Sequence, residues 1–183
     1  LMTCYETARA TYVEVKQLYQ QFGEHRGQLR CDLGLAEIAR FAGDYPRAQK
    51  IFGEVLEQSI TELGDHQLEA RALFGQGQCA YAEGALRDGT DLYRRARKLA
   101  ETQNDILLCS EADIELALLA ISTRHIEHAL STIQLAMELK RQIGDTLGRA
   151  HAHLVLGMCY RRTHRLEEAE QHARRAQNIN QRL

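Results

Sequence analysis

The sequence predicts an all-α fold in which antiparallel helix pairs repeat along the chain. Small residues recur about every 40 residues, at Ala8, Ala48, Gly89, Ala129 and Ala169, and only the step from Ala48 to Gly89 is longer, by one position. Between turn signals, apolar residues are spaced three and four apart, as one buried face of a helix requires. The 183 residues include one proline, Pro46, and no tryptophan, so few helices are interrupted. A fixed period of this length indicates a stacked array of repeats.

A second marker separates the repeats and has the same period. It is a dipeptide of Gly or Asn followed by an acidic residue, at Gly23-Glu24, Gly64-Asp65, Asn104-Asp105 and Gly144-Asp145, and its first step is again one position longer than the others. Gly or Asn can adopt the left-handed conformation that ends a helix, and the acidic residue can cap the next one. A shorter turn divides each repeat into two helices, as at Gly43-Asp44-Tyr45-Pro46 and Thr123-Arg124-His125.

These markers predict nine helices and no strand. The helices are expected near residues 4–22, 26–42, 45–63, 67–83, 86–103, 106–123, 126–143, 146–163 and 166–181. Residues 1–24 fit the second helix of an incomplete repeat, and complete repeats follow at 25–64, 65–104, 105–144 and 145–183. The chain therefore resembles a piece of a longer array, and neither end resembles a dedicated cap.

Glycines interrupt one repeat in the middle of its helices. Gly75 and Gly77 lie within a predicted first helix, and Gly89 stands where other repeats have alanine. A glycine inside a helix costs roughly 0.5–1 kcal/mol relative to alanine. This repeat is therefore either a soft joint or a place where close helix packing requires glycine, and hydrogen exchange of residues 70–90 would distinguish the two.

Composition excludes several classes of protein. The formal net charge is −2, which favours neither nucleic acid nor an anionic membrane as a partner. Five cysteines without a Cys-x-x-Cys pair argue against a disulfide framework and a zinc ribbon. No apolar run approaches the roughly 18 residues that span a bilayer, and the first residues lack the pattern of a secretory signal. We expect a cytoplasmic protein.

Catalytic and metal-binding patterns are weak. His125-Ile126-Glu127-His128 lacks the four-residue His spacing of a zincin helix, so we expect a turn and helix start there. His151 and His153 are two residues apart and point away from each other on a helix. Cys79 and Cys159 stand two repeat steps apart at corresponding positions, and we expect both to be core residues. We therefore expect no enzyme, no metal and no cofactor.

The last repeat carries a family resemblance in Leu156-Gly157, Tyr160, Leu166, Ala169 and Ala176. These residues resemble the tetratricopeptide repeat consensus, and the first complete repeat matches it at Ala36, Ala39, Gly43, Tyr45, Ala48 and Phe52. The period exceeds the common 34-residue form, which suggests an elongated second helix. Such long repeats resemble those of bacterial signalling ATPases, transcriptional regulators and animal scaffold proteins. The resemblance implies a right-handed superhelical solenoid whose first helices line a concave, partner-binding face.

Helical spacing places a stripe of residues on the outward face of each first helix. The candidate partner-binding residues are Glu37, Arg40, Phe41, Arg71, Gln78, Tyr81, His151, Met158, Arg161 and Arg162. Ile114, Leu118 and Ile121 continue the stripe in the third complete repeat, although apolar members can instead contact a neighbouring repeat. The Lys and Asn positions that chaperone-tail binders of the family use are replaced here, for example by Leu33 and Phe74, which disfavours that ligand.

The leading functional hypothesis is a non-catalytic module that binds a protein or peptide segment, as the sensor or scaffold part of a larger signalling or regulatory protein. The alternative is a self-association element that stacks the open ends of the array, for example in a transcriptional regulator or a signalling ATPase. Nucleic-acid contact is a third and less favoured hypothesis. It would use Arg94, Arg95, Arg97, Lys98, Arg161, Arg162, Arg174 and Arg175.

Overall fold

A computed structural model describes the backbone of residues 2–182 and the side chains of residues 5–182. Its helices are α1 (Met2–Gln21), α2 (His25–Phe41), α3 (Tyr45–Gln58), α4 (His66–Ala82), α5 (Leu86–Thr102), α6 (Ile106–Ser122), α7 (Ile126–Gln142), α8 (Thr146–Arg162) and α9 (Leu166–Asn180). Consecutive helices pack as antiparallel pairs from α1 to α4 and from α6 to α9, and the structure confirms the predicted all-α class and nine helices over these residues. None of the described helices is both long and apolar enough to span a membrane.

The predicted between-repeat turns adopt the expected conformation. Gly23, Gly64, Asn104 and Gly144 have φ angles of 68°, 59°, 54° and 69°, in the left-handed region. Asp65 accepts hydrogen bonds from the Gln67 and Leu68 backbone N–H groups at 3.0 and 3.1 Å. Asp105 and Asp145 cap α6 and α8 in the same way. Glu24 is the exception, because its side chain caps nothing at the start of α2.

The helix predicted over residues 45–63 is not α-helical in its last turn. Ser59–Leu63 forms a π-helical turn that follows α3. The two longer steps in the sequence, Ala48 to Gly89 and Gly23 to Gly64, both span this segment. A π turn accommodates one extra residue without ending the helix, so it absorbs the insertion. Gln58 and Glu62 both contact the His25 ring, at 3.0 and 3.1 Å.

The chain divides into two compact units, Leu1–Leu99 and Ala100–Leu183. In the first unit, aromatic rings lie over glycines. The Phe52 ring occupies the space where a Cβ on Gly75 would lie, and a Cβ on Gly77 would lie 2.8 Å from the Tyr93 ring. Phe52 and Tyr93 are both fully buried. These contacts support the close-packing explanation for the helical glycines.

The second unit has an aliphatic core. Its buried cluster combines branched side chains with small residues that let the helices approach. The cluster contains Ile114, Ala117, Ala120, Ile121, Ala129, Ile133, Ala136, Ala152, Val155, Leu156 and Cys159. Cys79 in the first unit and Cys159 are both buried, as expected, and burial raises the pKa of each thiol to about 11. Neither thiol is therefore a ready nucleophile.

Candidate partner-binding surface

Helix α8 presents one exposed stripe in the second unit. His151, Leu154, Met158, Arg161 and Arg162 are all exposed, and their three- and four-residue spacing places them on one face of the helix. We call these five residues the α8 stripe. Leu154 and Met158 keep 43% and 42% of their surface exposed. The stripe therefore offers apolar area with positive charge at one end.

The start of α8 is fixed by a capping residue with two partners. The Asp145 carboxylate accepts a hydrogen bond from the Gly148 N–H at 2.7 Å and from the Lys140 ammonium at 2.8 Å. The Lys140 side chain is almost entirely buried. Removing the Asp145 carboxylate would leave the buried Lys140 charge unpaired, so this residue links the start of α8 to the end of α7.

The corresponding face of α6 differs, although it lies in the same unit. Ile114 and Ile121 occupy the positions of Leu154 and Arg161 one repeat earlier, and only 3% and 7% of their surface is exposed. Leu118, which corresponds to Met158, packs against the same core. Ile114 and Ile121 therefore do not point outward but follow the alternative explanation, contact with a neighbouring repeat, because both lie in the core of the second unit.

The two arginines of the α8 stripe differ from Arg165, the next arginine along the chain. Neither Arg161 nor Arg162 forms an ion pair with a residue that the structure describes. Arg165, three residues later, pairs with Glu168 at 2.6 Å and lies over the Tyr160 ring at 4.6 Å. Arg161 and Arg162 can therefore receive a carboxylate from outside.

In the first unit, the predicted residues of α2 contact one another. The Arg40 guanidinium pairs with Glu37 at 2.7 Å and lies 4.1 Å from the centre of the Phe41 ring. Only 18% of the Arg40 side chain is exposed. Phe41 also stacks on Tyr5 of α1, with ring centres 6.3 Å apart. Arg40 is therefore held in place, while Phe41 turns toward α1.

The predicted residues of α4 lie along one face of that helix. Arg71 is exposed, and Gln78 and Tyr81 are half-buried. The Gln78 side-chain oxygen is buried and accepts no hydrogen bond from the described residues. The candidate residues therefore form two sets, one on α2 and α4 of the first unit and one on α8 of the second.

The sequence does not predict one contact, which joins two histidine side chains. The Nδ1 atoms of His153 in α8 and His172 in α9 are 2.9 Å apart, so one imidazole N–H donates to the other ring. Burial, together with the nearby His172, Arg175 and Arg149, lowers the pKa of His153 to about 4. Burial also lowers the pKa of His172. Their separation of nineteen residues matches no helical spacing, so the sequence gives no local signal for the pair.

His125 and Arg94 have local structural roles. His125 stands at the N-cap position of α7, and its ring contacts the Thr123 hydroxyl at 3.0 Å, within the predicted turn. Arg94 on α5 lies near Asp91 at 3.8 Å. Within the part of the chain that the structure describes, no three His, Cys, Asp or Glu side chains cluster as metal ligands would.

Comparison with known proteins identifies the repeat. The tetratricopeptide repeat profile matches residues 32–102. No curated protein matches the sequence. Similar solved structures include BtubC (BKLC) from P. vanneervenii, with a TM-score of 0.78 and 17% identity over 98% of this chain and 74% of that one.

Two further structures show the same fold. Aspartyl phosphate phosphatase F from Bacillus subtilis has a TM-score of 0.70 and 14% identity, over 98% of this chain and 58% of that one. A Rap protein complexed with competence and sporulation factor has a TM-score of 0.74 and 14% identity, over 97% of this chain and 59% of that one. The chain thus spans less than two thirds of either protein's length. Identities this low establish likeness of fold alone.

Proposed function

We propose that this chain, in which residues 32–102 match the tetratricopeptide repeat profile, is a non-catalytic module that binds a protein or peptide segment on the α8 stripe. The observation that carries the proposal is the contrast between exposed Leu154 and buried Ile114 at one repeat position. Covering an apolar side chain that is exposed at a position where the preceding repeat buries one is favourable, because it removes apolar surface from water.

The chemistry of the α8 stripe suggests the kind of segment. Leu154 and Met158 provide apolar contact area, and methionine adapts to differently shaped partners. Arg161 and Arg162 lie one to two turns further along α8 without a carboxylate partner among the described residues. A segment that carries apolar side chains followed by Asp or Glu satisfies both features.

We propose that residues of the first unit also contact a protein or peptide segment. Glu37 and the half-buried Arg40 already form an ion pair, so Arg40 is ordered before any partner arrives. An ordered arginine loses less side-chain entropy when it binds than a free one does. Arg71, Gln78 and Tyr81 on α4 would extend this contact. In support, a Rap protein of the same fold was solved in complex with competence and sporulation factor.

Selection from a random-peptide display library against the immobilised chain would test the α8 stripe. The affinity of a selected peptide is then measured by fluorescence polarisation for wild type and for the double variant Met158→Asp/Arg161→Glu. We expect at least about tenfold weaker binding, or about 1.4 kcal/mol. Arg182→Glu, an exposed arginine beyond α9, is the matched control. Equal affinity of wild type and the double variant, with unchanged melting temperatures, would contradict the proposal.

Self-association is a second candidate function. Helix α1 exposes Val13 and Leu18, and Phe22 in the turn after it is also largely exposed. A second copy of the chain could bury these apolar side chains. Multi-angle light scattering over a wide concentration range tests this candidate. A molar mass that stays at the monomer value on concentration would exclude it, and Leu18→Glu is the variant expected to dissociate any oligomer.

A further inference from the structure

Leu147 extends the α8 stripe toward the N-terminal end of the helix. Its side chain is 64% exposed, and it lies four residues before His151. From Leu147 the exposed residues follow at steps of four, three, four and three, to His151, Leu154, Met158 and Arg161. At about 100° per residue, these five side chains cover only about 80° of the helix circumference. We call these five residues the α8 seam.

Buried residues border the α8 seam on both sides. Ala150 lies on one side of it and Val155 on the other, and both are buried. A partner therefore meets a narrow row of side chains rather than a broad apolar face. A surface helix of a globular protein usually has a wider apolar stripe, whereas a narrow row at steps of three and four residues is typical of a coiled-coil helix.

Charge is confined to one end of the α8 seam. Partial burial of the His151 ring, together with the nearby Lys140 charge, lowers the pKa of His151. That imidazole is therefore uncharged at neutral pH, and the other residues before Arg161 are apolar. Arg161 ends the seam and Arg162 lies beside it, and neither is ion-paired with a described residue. A complementary partner thus carries apolar side chains along most of its length and carboxylates at one end.

The spacing of the α8 seam decides the conformation of such a partner. Steps of three and four residues advance about 5.2 Å on average along a helix axis. A second helix with apolar residues three and four apart repeats at the same interval. An extended segment presents every second side chain to one face, about 6.6–6.8 Å apart. Over the four steps of the seam an extended segment would therefore fall about 5–6 Å out of register, which is one whole contact.

We propose that the partner of the α8 seam is an amphipathic α-helix that packs along the whole length of α8, with Asp or Glu at the end beside Arg161. Leu147, Leu154 and Met158 would pack between the side chains of this helix, as in a coiled coil, and would lose apolar surface to water. This inference rests on the proposed function, in which the α8 stripe binds a protein or peptide segment, and it adds the conformation of that segment.

Alanine scanning of a bound peptide tests the conformation. The probe is a peptide from the display library that binds wild type at least about tenfold more tightly than Met158→Asp/Arg161→Glu. We expect the affinity to fall about fivefold or more only at peptide positions three and four apart, over three turns or more, and a central proline to abolish binding. Losses at every second position, or unchanged binding of the proline peptide, would overturn the inference and leave the proposed function intact.

Leu147 provides a second test on the chain itself. It lies about 21 Å from Arg161 along α8, so only a partner that follows the whole helix contacts both. We expect Leu147→Asp to bind the same peptide about fivefold more weakly, with an unchanged melting temperature because an acidic residue is favourable in the first turn of a helix. Leu135→Asp is the matched control, since Leu135 lies on α7 and is 58% exposed.

The two levels of the proposal fail differently in these experiments. Wild-type affinity of Leu147→Asp, or an equal loss in Leu135→Asp, would overturn the helical partner while the Met158→Asp/Arg161→Glu variant still supports a bound segment. If the library yields no peptide that this double variant weakens, the proposed function fails and the helical partner fails with it.

Discussion

The two units of the chain fill the same repeat position with different pairs of side chains. In the first unit, the large ring of Phe52 lies over Gly75. The corresponding residues of the second unit, Ile133 and Val155, are both branched and lie in one buried cluster. A large residue on a small one and two medium residues fill similar volumes. The repeat therefore specifies the combined volume of a contact rather than either residue alone.

The strongest test of this comparison exchanges the pairs. Gly75→Val alone should destabilise the protein by roughly 3 kcal/mol, because its Cβ would overlap the Phe52 ring. Phe52→Ile alone should cost about 2 kcal/mol through the cavity it leaves. The double variant restores the second unit's pair and should cost only about 1 kcal/mol. Urea denaturation of all four proteins gives the coupling free energy.

The reverse exchange in the second unit is the matched control. Val155→Gly should leave a cavity, and adding Ile133→Phe should recover part of the lost stability. Strictly additive free energies in both units would contradict the idea of paired volumes. Coupling in the first unit alone would instead mean that the aromatic ring, rather than total volume, is required there.

A second prediction tests whether burial or repeat position determines the stability cost of a larger side chain. Ala129 and Ala169 occupy the same repeat position, but Ala129 is fully buried and Ala169 is half-buried. Ala129→Leu should therefore overpack the crossing of α7 and cost roughly 1–3 kcal/mol. Ala169→Leu should cost less than about 1 kcal/mol, because its side chain can turn toward solvent. Equal melting temperatures for the two variants would show that burial at this position does not set the cost.

Much of the fold could be predicted because its signals are local. Gly64, Asp65 and Asp145 mark turns and caps through their own backbone and the next few residues. The π turn at Ser59–Leu63 left a trace only as a repeat step that is one position longer than the others, which does not show where the extra residue lies.

Contacts between distant residues could not be predicted in the same way. Whether Ile114 is buried depends on the helices that pack over it, and Gly75 cannot be interpreted without Phe52. The contact of His153 with His172 likewise depends on how α8 and α9 align. Helical spacing identifies the face of a helix on which a residue lies, but not what covers that face.

A third prediction uses acid to distinguish the units. His153 and His172 lie in the second unit, whereas the corresponding positions of the first unit hold Leu73 and Leu92. Burial lowers the pKa of both histidines in the folded state, to about 4 for His153. The unfolded chain then binds more protons below about pH 6.5, so the free energy of unfolding falls as the pH drops toward 4.

Because both rings are partly exposed, we expect this loss to be roughly 1–2 kcal/mol. The variant His153→Leu/His172→Leu should lack it. Urea denaturation at neutral and acidic pH gives the change in unfolding free energy for each protein. Subtracting one change from the other removes the contribution of the carboxylates that both proteins share. An identical pH dependence of stability in the two proteins would contradict the assignment.

The smallest expected effect concerns the turns within repeats. The first unit uses Gly43 and Gly84, with φ angles of 80° and 81°, whereas the second places Arg124 and His164 at 66° and 61°. A left-handed non-glycine residue costs roughly 1–2 kcal/mol, and glycine's greater freedom in the unfolded chain offsets part of any gain. Arg124→Gly should therefore stabilise the protein by about 0.5–1 kcal/mol.

The first unit provides the converse variant for the same experiment. Gly43→Ala should destabilise the protein by about 1 kcal/mol, although a side chain there would meet no other atom within 4 Å. Thermal unfolding of both variants measures the two shifts. Because Arg124 is exposed, a gain from Arg124→Gly must come from its backbone conformation rather than from packing. A gain in stability for Arg124→Gly with a loss for Gly43→Ala would show that the units share one turn geometry with different residues. A loss of stability in both variants would show that the Arg124 side chain makes an interaction worth more than its backbone strain.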